Sequence, residues 1–254
     1  MQFFDSDGVR IAFLDVVPAS GVGDPVLLIH GFGSNHAVNW LNTMWVKTLT
    51  HAGYRAIALD NRGHGQSEKL YTPAAYMPAV MAEDARRLLD HLQIHRADVM
   101  GYSMGARIAA YLALNHPERV RSLLLGGLGI HLVEGEGLPP GIADAMEAPS
   151  LDVLTDPTER MFRAFAEQTK SDRKALAACM RGSRQNLTRT EIAQIFAPTL
   201  IAVGTKDHIA GSPHELAALM PNARALDIVN RDHNVAVGDM SHKRSVLAFL
   251  AARP

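Results

Sequence analysis

The sequence predicts an α/β fold: a mostly parallel, doubly wound sheet with an N-terminal antiparallel hairpin and an inserted helical cap. Three observations predict it. Short apolar runs recur along the chain, namely VLLIH (26–30), RAIALD (55–60), ADVMGY (97–102), VRSLLLG (120–126), TLIAVGT (199–205) and ARALDIV (223–229). Runs unbroken by polar alternation suit strands buried on both faces of a parallel sheet. Stretches with apolar residues at threes and fours separate them, and strand alternating with helix implies right-handed crossovers with helices on both faces. One stretch, 129 to about 195, carries no strand pattern.

The elements follow in order. Gln2 to Asp5 and Val9 to Val17 flank Ser6-Asp7-Gly8, and Asp-Gly supplies the positive-φ turn of a β-hairpin. A Pro/Gly-rich link, PASGVGDP, leads to the first buried run. Helices are expected over Asn35 to Ala52, Ala79 to Leu92, Met104 to Asn115, Pro213 to Met220 and Ser241 to Ala252. Pro117 and Pro221 follow two of them closely, where helices commonly stop. The insertion opens with the loop GEGLPPG (135–141) and continues with amphipathic patterns at 157–168, 172–181 and 188–196. It is most simply a lid, so the expected division is a core of 1–128 and 196–254 with a cap of 129–195.

Composition narrows the function classes. The 254 residues carry 25 Lys+Arg against 26 Asp+Glu, a formal net charge of −1, with 47% hydrophobic residues. A balanced charge offers no basic stripe for nucleic acid and no acidic tail for a charged partner. The first residues lack a signal-peptide pattern, and no apolar run reaches the roughly 18 residues a membrane span requires. A single cysteine, Cys179, excludes an internal disulfide. The expectation is a cytoplasmic protein with a small-molecule substrate, no nucleic-acid or membrane partner, and no cofactor or metal.

GYSMG (101–105) places a serine between two glycines where a buried strand ends and a helix begins. A sharp turn there strains the central residue and lifts its side chain above the sheet edge, and the flanking glycines let neighbouring chain pass. The following helix N-terminus adds partial positive charge. The plain alternative is a helix-capping serine. A serine nucleophile requires a base and an acid to orient it. Of twelve histidines, His233 follows the last apolar run and so sits at the same sheet edge as Ser103; His30, His36 and His64 compete with it. Asp207 emerges after the run TLIAVGTKD, at the carboxyl edge where open α/β sheets build sites, although it also suits a turn cap. Asp232 adjoins His233 and would point elsewhere; Asp227 lies inside the final strand. The order Ser103, Asp207, His233 matches a known triad order. Oxyanion donors are expected from the Met104 N–H and, in HGFGSN (30–35), the Phe32 N–H, with His30 orienting that loop.

HGFGSN, DNRGHGQS (60–67), GYSMG, GTKD and the late DHN, in that order, resemble the α/β-hydrolase superfamily over nearly the whole chain outside 129–195. The resemblance implies a serine-nucleophile, esterase-like hydrolase with Ser103, Asp207 and His233 as nucleophile, acid and base. It implies structural turn and packing roles for Asp60, Arg62 and His64. Asp232 stands where family members often have glycine before the histidine, which changes the polarity near the base. A serine at 103 disfavours dehalogenase and epoxide hydrolase chemistry, which use a carboxylate nucleophile. Carbon–carbon hydrolysis, enol-lactone hydrolysis, perhydrolysis and a non-catalytic receptor remain open at the level of motifs.

Other residues have plainer readings. Met161, Phe162 and Phe165 share a face of the insertion, where they pack the lid or line a substrate pocket. Trp40, Trp45 and Met44 are expected in the core, with Trp40 approaching the pocket. Cys179 reads as buried filler. His91 and His95 lack a third metal ligand, and RGSR (181–184) reads as a solvated basic cluster.

Overall fold

A computed structural model describes residues 1–135 and 138–253; Glu136 and Gly137, within the expected loop 135–141, and Pro254 lie outside the described residues. Eight strands form one sheet: β1 (Gln2–Ser6), β2 (Val9–Val16), β3 (Pro25–Ile29), β4 (Arg55–Leu59), β5 (Ala97–Tyr102), β6 (Val120–Gly126), β7 (Thr199–Gly204) and β8 (Ala223–Ile228), in the order β1-β2-β4-β3-β5-β6-β7-β8. β1 pairs antiparallel with β2, and β2 with β4; every later pairing is parallel. Asp7 and Gly8 have φ of 57° and 79°, the double left-handed turn that an Asp-Gly hairpin requires.

The central strands sort their residues between two cores by alternation. Leu27, Ile29, Ile57, Leu59, Val99 and Leu123 enter one core with α2 (Pro78–His91) and α3 (Met104–Asn115). Val26, Leu28, Ala56, Ala58, Met100 and Leu124 enter the other with α1 (Trp45–His51) and α9 (Met240–Ala252). Because neighbouring side chains point to opposite faces, a strand covered on both sides is apolar along nearly its whole length. β8 departs from that expectation: only Ile228 is buried, because the strand forms the sheet's edge.

Among the described residues, four α-helices lie between β6 and β7: α4 (Ile142–Glu147), α5 (Pro157–Gln168), α6 (Arg173–Gly182) and α7 (Arg189–Ile192). Asp156 caps α5 by accepting from the Thr158 and Glu159 amides, and Thr188 and Glu191 form a capping box on α7. α4 was not expected from the sequence; a six-residue helix shows too few turns to display a period. α8 (Pro213–Ala217) is shorter than the expected 213–220.

The expected helix over 35–52 is broken. A π-type turn spans Ala37–Leu41, with the Asn42 N–H donating to the Ala37 carbonyl at 2.8 Å, and Met44 adopts a left-handed φ of 67° before α1 begins. Trp40 and Trp45 stand five residues apart, about 140° around a regular α-helix. The break lets both indoles enter the same core, where each is fully buried. It also leaves Met44 exposed rather than packed in the core.

The 60–67 loop is held by buried polar contacts. Arg62 makes a bidentate pair with Asp84, both N–O distances 2.7 Å, and Ser6 Oγ donates to the same carboxylate. Asp60 accepts from the His36 and Gln66 amides at 2.7 and 2.8 Å. His64 is fully buried, and burial lowers its pKa to about 3; burial lowers that of His242 to about 4. Both groups protonate near 6.5 when unfolded, so between pH 6.5 and 4 the unfolded chain binds more protons, and stability falls as pH falls. The expected loss at pH 5 is about 2 kcal/mol per histidine. Urea unfolding at pH 7 and pH 5 measures it, and equal stabilities at the two pH values would contradict the burial of these rings as neutral groups.

Candidate active site

Parallel strands deliver their following loops to one edge, and the residues singled out by sequence meet there. Ser103 follows β5, Asp207 follows β7, His233 follows β8 and Phe32 follows β3. Ser103 adopts φ 54° and ψ −115°, a strained conformation for a residue with a Cβ, costing on the order of 1–3 kcal/mol. Its neighbours show why the turn needs glycine. A Cβ on Gly101 would lie 2.1 Å from the Gly105 carbonyl oxygen, and one on Gly105 would lie 2.0 Å from that of Ile29. The Ser103 N–H donates to the Gly126 carbonyl at 2.8 Å, which ties the turn to β6.

His233 Nε2 lies 3.0 Å from Ser103 Oγ, and His233 Nδ1 lies 2.7 Å from Asp207 Oδ2. With the proton on Nδ1, the ring donates to Asp207 and accepts from the Ser103 hydroxyl. The two readings of Asp207 coexist: Oδ1 caps the next turn by accepting from the Ile209 and Ala210 amides at 2.8 and 3.0 Å, and that leaves Oδ2 aimed at the imidazole. The Asp207 side chain is fully buried and that of His233 is 11% exposed, so water reaches the ring and not the carboxylate.

The competing residues are occupied elsewhere. His36 pairs with Asp60 at 2.8 Å. His30 contacts the Gly31 carbonyl through Nδ1 at 2.8 Å and accepts from the Asn61 N–H through Nε2 at 3.0 Å; burial lowers its pKa, keeping it neutral. It thus braces the loop carrying Phe32. Asp232 caps its own turn through the Asn234 and Val235 amides, and Asp227 pairs with His214 on the surface. His91 stacks on Phe4, with centroids 5.5 Å apart. Among the described residues no three His, Cys, Asp or Glu side chains gather as metal ligands.

Met104 is the first residue of α3, and helix geometry leaves its N–H without an intrahelical acceptor. Phe32 is buried at the lip of the site, its ring 6.0 Å from that of Phe162. A compartment of about 480 Å³ opens beside Ser103 and His233, and Met161, Phe162, Phe165, Val38 and Val237 line it. Trp40 corrects the sequence reading: it does not border this space but packs in the core beneath, because the helix break turned it inward. RGSR is also corrected. Arg181 alone is exposed; Ser183 is buried, and Arg184 is half-buried and donates to the Leu138 carbonyl.

Two contributors escaped the sequence reading. Tyr102 donates its hydroxyl to the His233 carbonyl at 2.5 Å, fixing the backbone of that residue; burial pushes the phenol well above its ordinary pKa, so it remains a donor. Asn39 Oδ1 accepts from the Gly31 N–H at 3.2 Å. Tyr102 carried a signal, since it directly precedes the nucleophile candidate; Asn39 carried none.

Comparisons with known proteins agree with this architecture. A family model described as the alpha/beta hydrolase fold matches residues 24–133. The 2-hydroxymuconate semialdehyde hydrolase of Pseudomonas sp. (strain CF600) is 41% identical over 120 residues, 47% of this chain and 42% of that protein. The dihydrolipoyllysine-residue acetyltransferase component of the acetoin cleaving system from Pseudomonas putida is 30% identical over 247 residues, 90% of this chain and 64% of that one. The chain thus spans less than two thirds of the length of either relative. The crystal structure of a hydrolase from Pseudomonas aeruginosa PA01 superposes with a TM-score of 0.76 at 28% identity, covering 99% of this chain and 98% of that one. The family match over residues 24–133, the strand order and the 28% identity to a solved hydrolase over nearly its whole length give the chain the α/β-hydrolase fold.

Proposed function

We propose that this protein is a serine hydrolase that cleaves a carboxylic ester, or a similarly activated acyl bond, of a small and fairly apolar substrate. The observation that carries the reading is the unbroken contact from Ser103 Oγ through His233 to Asp207. His233 Nε2 takes the hydroxyl proton as Oγ bonds to the substrate carbonyl carbon. The oxygen that gains the negative charge is received by the Phe32 and Met104 N–H groups. The tetrahedral intermediate then expels the alkoxide, which leaves with the proton held on His233. Water attacks the resulting acyl-enzyme with His233 again as base, regenerating Ser103. Asp207 holds the imidazole and stabilises its cationic form. Losing one oxyanion donor typically costs on the order of 10² to 10³ in rate, so the two amides weigh as much as the side chains.

In this reading residues 129–195 form a cap, and its α5 supplies Met161, Phe162 and Phe165 to the substrate wall. The substrate is a small molecule, and the compartment is the cytoplasm, where a lone cysteine such as Cys179 requires no partner. A second reading is carbon–carbon bond hydrolysis by the same residues, favoured by the 41% identity to a 2-hydroxymuconate semialdehyde hydrolase. Short p-nitrophenyl esters separate the readings. Multiple turnovers that disappear in Ser103→Ala support the esterase. Binding with at most one slow turnover supports a receptor, and turnover confined to ring-fission dienoates supports the second reading.

A further inference from the structure

Ser103 opens onto two compartments of unequal size. The large one, about 480 Å³, is the space bordered by His233 and α5. The small one, about 60 Å³, also borders Ser103 and is lined by Met104, Leu128, Leu138, Met180, Ser183 and Arg184. Arg107 also borders it, and its guanidinium is held in place by donating to the Gln185 carbonyl, Asn186 Oδ1 and the His131 carbonyl. Phe32 borders both compartments, whereas His233 borders only the large one.

That asymmetry orients the substrate. In the tetrahedral intermediate one oxygen occupies the Phe32 and Met104 amides, leaving the acyl chain and the leaving alkoxide to point in different directions. The leaving oxygen must lie within hydrogen-bond reach of His233 Nε2 to receive its proton. The alcohol portion therefore extends into the large compartment, and the acyl chain enters the small one. An apolar cavity of about 150 Å³ takes a benzene ring, so the small compartment takes an acyl chain of only about two to four carbons. Resting on the ester reading above, we infer that the substrates are short-chain acyl esters of bulky, apolar alcohols, and not esters of bulky acids with small alcohols.

An isomeric pair tests the orientation without changing composition: 2-phenylethyl acetate against ethyl phenylacetate, each rate divided by the rate with hydroxide. A methylene that a pocket accepts or refuses is worth about 10- to 200-fold. The acetate is expected to be favoured by at least about tenfold in kcat/KM. Among p-nitrophenyl esters, acetate to butanoate should exceed hexanoate and octanoate by a similar factor. Met180→Ala should raise the hexanoate-to-acetate ratio about tenfold by opening the small compartment. Leu138→Ala repeats the test at a second wall position if Met180→Ala does not fold. Equal or reversed preference within the isomeric pair, with Ser103-dependent turnover of both, overturns this orientation and leaves the hydrolase reading intact. No turnover of either isomer by protein whose Ser103 reacts with an organophosphonate overturns the ester reading, and this inference with it.

Discussion

Replacing His233 by alanine is expected to lower kcat/KM for a short aryl ester by about four to six orders of magnitude. Without the imidazole the Ser103 hydroxyl keeps its proton, and a protonated alcohol is a poor nucleophile at neutral pH. The loss should match that of Ser103→Ala, and the double variant should be little worse than either, because the members of such a relay act as a unit. What activity remains is expected from binding and from the proposed oxyanion amides of Phe32 and Met104. The substitution removes only a side chain at the lip of the site, so the far-ultraviolet spectrum should be unchanged; the Tyr102 hydrogen bond goes to the His233 backbone carbonyl and survives. Activity within tenfold of the parent protein would remove His233 from the reaction.

Gly105→Ala is expected to destabilise the fold by about 3–5 kcal/mol, among the largest effects of a single methyl group. The added carbon would sit 2.0 Å from the Ile29 carbonyl oxygen and 2.7 Å from that of His30. Both atoms are backbone at the end of β3, and no side-chain rotation relieves the collision. Either α3 lifts from the sheet or β3 shifts, and each would move one of the two amides proposed to receive the oxyanion. Activity should therefore fall together with stability. Gly238→Ala is the matched control. Its nearest neighbour would be Thr43 Cβ at 3.6 Å, an ordinary contact, so its stability should stay within about 0.5 kcal/mol of the parent. Urea unfolding of both variants makes the comparison, and equal midpoints would refute the close-packing explanation of the glycines around Ser103.

The sequence revealed the sheet because its strands are covered on both sides. β3, β5 and β7 are apolar apart from Asp98 and Thr199, a pattern that survives without neighbours in view. The site was legible for a related reason: parallel strands bring their trailing loops to one edge, so the ends of β5, β7 and β8 suffice to bring Ser103, Asp207 and His233 together. What escaped depends on tertiary geometry. The break at Met44 follows from where two tryptophans must go, and helical spacing over 35–52 does not encode it. The exposure of β8 follows from having no ninth strand beside it among the described residues. RGSR reads as a solvated cluster in isolation, yet Ser183 lines the small compartment because α6 packs against the core there. Asn39 has no motif, since its value lies in meeting a loop amide eight residues earlier.

The most direct measurement is covalent labelling with a fluorophosphonate followed by peptide mass spectrometry. A single phosphonyl adduct on Ser103 is expected, absent in Ser103→Ala and formed orders of magnitude more slowly in His233→Ala. An adduct on any other residue, or equal labelling rates with and without the imidazole, would contradict an activated serine at the end of β5.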